Sequence, residues 1–161
     1  MPSPFSCRLA IFDSDGTLAD TLPWMRGVFN ELADELGFRR VGEHEVDRLR
    51  HLHGTDLLRE LGLPKWKLPL LVVRVRQRMA AHDGPLLPFP GIPAALERLH
   101  AAGVRLAVVS SNTRANVERV LGPETSALIA HWNCGASLFG KASKLRAVVK
   151  ASGIPAAHAI Y

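Results

Sequence analysis

The 161-residue chain is the size of about one ordinary domain, and its 47% apolar and 22% charged residues place it with soluble globular proteins, apart from disordered and fibrous ones. Its net charge of +5 is spread along helical patterns without a dense basic cluster, so nucleic-acid binding finds little support, and no apolar run reaches the length of a membrane span. Met1-Pro2-Ser3-Pro4 lacks the basic, apolar and small-residue order of a signal peptide, which predicts a cytoplasmic protein whose Cys7 and Cys134 are reduced, buried small hydrophobes.

The first predicted element is Arg8-Leu9-Ala10-Ile11-Phe12, short and bulky enough to be a buried parallel strand. It runs directly into Asp13-Ser14-Asp15-Gly16-Thr17-Leu18. Apolar positions at Met25, Val28, Phe29, Leu32, Ala33 and Leu36, stopped by Gly37, predict a helix. Further helical stretches follow at about 43–51, 55–61 and 64–82, with no strand between them. Such a run breaks the alternation of strand and helix and predicts a separate helical subdomain over 21–83, leaving 1–20 and 84–161 as an α/β core. The Pro- and Gly-rich segment from Asp83 to Gly91 suits the linker back.

After a helix from Pro93 to Ala102, the run Val104–Val109 predicts a second strand ending in Ser110-Ser111-Asn112-Thr113, followed by a helix over 114–121. A third strand is expected at about 127–132, a helix beginning near Lys141 with apolar Leu145, Val148 and Val149, and a fourth strand from His158, where the sequence stops.

The chemistry concentrates at the predicted strand ends, where open α/β sheets bind ligands. If the first strand continued, Ser14 would alternate away and Asp13 and Asp15 would face one pocket, with Gly16 allowing a sharp turn. Two converging carboxylates persist as anions only with a cation between them or a shared proton. Magnesium suits such hard oxygen ligands together with substrate phosphate, which points to phosphoryl chemistry. Hydroxyls and backbone N–H groups at Ser110, Ser111 and Asn112, just ahead of a helix, form an anion cradle or an N-cap, or both. Lys141 at a helix start opposes the helix dipole, so a role other than helix support is expected.

Asp13-Ser14-Asp15-Gly16-Thr17 resembles the DxDGT signature of the haloacid dehalogenase superfamily, whose members are mostly phosphatases that pass through an aspartyl-phosphate. Ser110 matches the second family motif and Lys141 the third, on a spacing that fits Lys141 better than Lys144. The resemblance implies a Rossmann-like parallel-sheet α/β core with an inserted helical cap of the C1 type, as in phosphoglycolate phosphatases. It also implies Asp13 as nucleophile, Asp15 as general acid and base, Ser110, Ser111, Asn112 and Lys141 around the phosphate, and magnesium on Asp13 and Asp15. In the cap, the stretch Arg48–Thr55 is the expected specificity loop, with Arg50 and His53 as its substrate-facing candidates.

The fourth motif, an acidic pair that completes the metal site, is missing from the sequence, so the core is expected to be C-terminally truncated and its magnesium-dependent activity weak or absent. The expected partner is a small phosphorylated metabolite, with no nucleic acid and no membrane, and the expected state a monomer or homodimer. A phosphomutase, a phosphonate hydrolase and a non-catalytic phosphate-binding module are the alternatives.

Overall fold

The computed structural model describes residues 7–49, 51–52, 54–135 and 140–161. In chain order the elements are β1 (Leu9–Phe12), α1 (Leu22–Leu36), α2 (Val46–Leu49), α3 (Gly54–Glu60), α4 (Leu68–Ala80), α5 (Ile92–Ala101), β2 (Arg105–Val109), α6 (Arg114–Ala127), β3 (Ile129–Asn133), α7 (Lys141–Ser152) and β4 (Ala159–Ile160). They fall into two compact units, one of Met1–Thr21 with Gly84–Tyr161 and one of Leu22–Asp83.

The first unit is built on a four-stranded sheet in the order β3-β2-β1-β4, and every pairing is parallel. Leu9 to Phe12 register against Arg105 to Val108, and Leu9 also pairs with Ala159 on the other side. Both faces of the sheet are covered, which is why its strands are continuous apolar runs. Ala10, Leu106 and Val108 pack with Leu96, Val117 and Leu121 on one face, while Leu9, Ile11, Ala107 and Val109 pack with Val148 and Ile154 on the other. Because the chain builds β2 and β3 on one side of β1 and then returns to add β4 on the other, the strand order reverses at β1. In open α/β sheets such a reversal leaves a crevice at the carboxyl ends of the strands.

Two boundaries differ from the sequence expectation for one reason. The helix expected to end at Leu121 breaks at Gly122, whose φ of 78° and ψ of 165° are open to glycine, and restarts behind Pro123. The restarted segment runs to Ala127, so β3 starts at Ile129 and not at Ala127.

The second unit is entirely helical. Its core joins Leu32 and Leu36 of α1 to Leu49, Leu58, Leu61, Leu63, Leu68 and Leu71. The continuous helix expected over 43–51 is instead a 3₁₀ turn, Glu43–Glu45, feeding the short α2. That entry is tied down by Glu45, whose carboxylate accepts from the Gly42 backbone N–H at 3.0 Å and from Arg39 at 2.9 Å. Arg48 reaches Glu60 at 2.8 Å, which extends the charge network to α3. Asn30 clamps the segment after α1 by donating to the Val41 carbonyl at 2.9 Å and accepting from the Val41 N–H at 2.8 Å.

The Gly42 N–H and the Arg39 guanidinium together lower the Glu45 carboxyl from its ordinary 4.5 to about 2. A carboxyl depressed in the folded state stabilises fully above its unfolded value and loses that contribution as pH falls through the folded one. Glu45→Gln is therefore expected to lower the thermal midpoint at neutral pH and to flatten the acid dependence between pH 4.5 and about 2, as read by circular dichroism melts across that range.

Candidate active site

Asp13 is the residue immediately after β1, and the loop that begins there is a knot of backbone hydrogen bonds. The Ser14 carbonyl accepts N–H bonds from Thr17, Leu18 and Ala19 at 3.2, 2.9 and 3.0 Å, and Gly16, at φ 74°, donates its N–H to the Ala19 carbonyl at 2.9 Å. Ser14 is buried. Asp13 therefore stands just before a turn that closes on the Ser14 carbonyl, and Asp15 lies within that turn, β1 having ended at Phe12. The Leu18 carbonyl and the Asp20 N–H then bond Phe89 and Leu87, which fixes the loop against the segment entering α5.

Both oxygens of Asp13 are engaged. Oδ1 accepts the Ser14 N–H at 2.8 Å, and Oδ2 accepts Lys141 Nζ at 2.6 Å. Lys141 is the first residue of α7 and meets Asp13 across 128 positions of sequence. Its Nζ also lies 4.9 Å from the centre of the Tyr161 ring, just past β4. Burial pulls the ammonium down, but hydrogen bonds to Asp13 and Tyr161 more than offset it, so Lys141 sits above its ordinary pKa and stays charged.

Asp15 has a different environment. Burial pushes its carboxyl upward and the neighbouring Asp13 charge adds to that, while hydrogen bonds from Thr21 and Asn112 partly oppose it; the net shift is upward. Asn112 Nδ2 straddles the two Asp15 oxygens at 3.5 and 3.4 Å. At the end of β2, Ser110 is buried and its Oγ accepts the Asn112 N–H at 3.0 Å. The Asn112 carbonyl accepts the Gly135 N–H at 2.6 Å, which links the ends of β2 and β3. Thr113 caps α6, its Oγ1 accepting the Asn116 N–H at 3.2 Å.

Of the residues singled out from sequence, Asp13, Asp15, Asn112 and Lys141 are therefore joined in one polar cluster, to which Ser110 is connected through Asn112. Ser111 follows Ser110 and is half-buried. Arg50 and His53 lie outside the described residues. Sequence reasoning missed Thr21, Asn116 and Tyr161. Asn116 could have been noticed as the third residue after the Thr113 cap, and Tyr161 as the residue that follows β4, as Asp13 follows β1.

Cys7 and Cys134 are free thiols, and burial raises Cys134 to about 11, so it is a protonated side chain at neutral pH. A hollow of about 530 Å³ in the helical unit is lined mainly by Leu22, Met25, Phe29, Leu49 and Leu57, and its apolar walls hold none of the polar cluster. Among the described residues no helix is long and apolar enough to cross a membrane.

The profile of the haloacid dehalogenase-like hydrolases matches residues 10–161. The chain belongs to that family. It is 30% identical over 152 residues to a phosphoglycolate phosphatase of Synechococcus elongatus, covering 94% of this chain and 72% of that protein. It is 35% identical over 115 residues to a phosphoglycolate phosphatase of Agrobacterium fabrum, covering 65% and 48%. The crystal structure of a Lactobacillus plantarum protein assigned as a phosphoglycolate phosphatase superposes with a TM-score of 0.78 at 19% identity, covering 96% of this chain and 76% of that one. That likeness establishes the fold, the parallel-sheet α/β core of the family.

The charge of Asp15 opposes folding, because a carboxyl raised in the folded state stabilises only below its unfolded pKa and loses that contribution as pH rises through the folded value. Asp15→Asn is expected to raise the thermal midpoint at pH 7 and to bring little gain near pH 3. Melts of the two proteins at both pH values check this.

Proposed function

We propose that this chain is a phosphatase that hydrolyses the monoester of a small phosphorylated metabolite through an aspartyl-phosphate on Asp13. The observation that carries the reading is the Lys141–Asp13 contact at 2.6 Å, beside a second carboxyl that burial keeps prone to hold a proton. The reading is also supported by the name of the Synechococcus elongatus relative, which makes 2-phosphoglycolate the first ester to test.

In the proposed reaction an oxygen of Asp13 attacks phosphorus and the bond to the ester oxygen breaks. Asp15 gives its proton to that departing oxygen. Water then attacks the aspartyl-phosphate, losing a proton to Asp15, and the release of phosphate restores both carboxyls. Lys141 and the hydroxyls and N–H groups of Ser110, Ser111 and Asn112 hold the phosphoryl oxygens, whose spread negative charge must be balanced.

The donor set suits magnesium: hard carboxylate oxygens, few in number, with room in that ion's habits for water and substrate phosphate. Among the described residues no three His, Cys, Asp or Glu gather to hold a metal without those additional ligands. The Asp13 carboxylate and the Asp15 carbonyl are the groups that would hold it. When bound, the ion supplies positive charge that offsets the charge of the phosphoryl oxygens.

The helical unit, about residues 21–83, is read as the cap that selects the leaving group, with Arg50 and His53 as contributors. The protein is read as cytoplasmic, acting as a monomer or homodimer.

Phosphate release from p-nitrophenyl phosphate and 2-phosphoglycolate tests the reading. Asp13→Asn is expected to lower both rates by about 10³-fold or more, and chelation with EDTA to suppress them until magnesium is restored. Turnover that survives Asp13→Asn would contradict the covalent route.

A further inference from the structure

Asn116 takes no part in the chemistry above, yet it is 4% exposed, as is Asn112. A buried primary amide is costly unless its hydrogen bonds are made. The helix cap does not account for it, because the bond to Thr113 Oγ1 comes from the Asn116 backbone N–H, which any residue but proline would supply. The side chain is directed elsewhere: its Nδ2 donates to Asn112 Oδ1 at 2.9 Å. The same oxygen accepts the Thr113 backbone N–H at 2.9 Å.

A backbone N–H is a donor without ambiguity, so the acceptor face of the Asn112 amide points at Thr113 and Asn116. Its NH₂ therefore points at Asp15, where it spans both carboxyl oxygens. The opposite flip would set the Asn112 NH₂ against the Thr113 N–H, a donor that cannot turn round, and that contact is repulsive.

We propose that Asn116 is a positioning residue, which holds the Asn112 amide in the orientation that fixes the Asp15 carboxyl for proton transfer. The proposal rests on the phosphatase reading for its kinetic consequence, though not for its geometry. An alkyl ester needs a proton on its leaving oxygen, whereas p-nitrophenolate departs without one. A loss confined to proton transfer therefore separates the two substrates, and a general loosening of the fold does not.

For Asn116→Ala and the volume-preserving Asn116→Leu, kcat/KM for 2-phosphoglycolate is expected to fall about tenfold, and that for p-nitrophenyl phosphate by less than about threefold. In an Asn112→Ala background the Asn116 changes are expected to add nothing further, as for two residues acting through one contact. Equal losses on both esters, or additive losses in the double variants, would overturn the proposal.

A second readout needs no turnover. In ¹⁵N-labelled protein the Asn112 side-chain NH₂ is expected to exchange slowly with solvent in the parent and rapidly in both Asn116 variants; unchanged exchange would overturn the positioning role. A parent that hydrolyses neither ester would sink the phosphatase reading by itself, and the exchange measurement would still decide what Asn116 does.

Discussion

Two carboxyl groups, two residues apart and directed into one small space, repel each other, and the α/β unit is organised to hold them there. The counter-charge for Asp13 comes from Lys141, 128 positions later, at the first turn of α7. Bringing that ammonium to 2.6 Å requires β2 and β3 to be laid down on one side of β1 and α7 to pack over Ile11, Ala107 and Val109. The polar cluster therefore comes together only when the hydrophobic core of the sheet does, and a site of this kind is no more stable than the packing under it.

The two aspartates have different neighbours. Asp13 is paired with Lys141 and accepts a backbone N–H, which leaves further lone pairs on its oxygens. Asp15 is buried, faces the Asp13 charge, and among the described residues has neutral donors, Thr21 and Asn112, to support ionisation. One carboxyl thus has a cationic partner, and its neighbour is drawn toward the protonated form. This division is what nucleophile and acid require in the proposed reaction, and it arises from burial and partner choice between residues of the same type.

Much of this architecture was legible in the chain. An apolar run without alternation means a strand covered on both faces, and the Leu9–Phe12 and Arg105–Val109 runs form the central pair of strands. Lys141 stood out because a cation at a helix start has no local reason to be there. The less legible features depend on geometry that pattern does not encode. Alternation along a continued strand was the expected means of aligning Asp13 and Asp15, whereas β1 ends at Phe12 and Asp15 lies in a turn closed on the Ser14 carbonyl. The helix expected over 114–121 breaks at Gly122 and resumes behind Pro123, a continuation that the pattern does not signal. Asn116 and Tyr161 carry no motif. One reveals itself through a shared acceptor on Asn112, four residues back, and the other through a ring beside Lys141, just past β4.

The proposed reaction requires an oxygen of Asp13 to bond to phosphorus. Acid quenching during turnover of 2-phosphoglycolate, followed by proteolysis and mass spectrometry, is the most direct measurement. One phosphoryl group is expected on the peptide that contains Asp13, absent from the Asp13→Asn protein. Steady turnover with no phosphorylated peptide, or with the phosphoryl group on any other side chain, would contradict it.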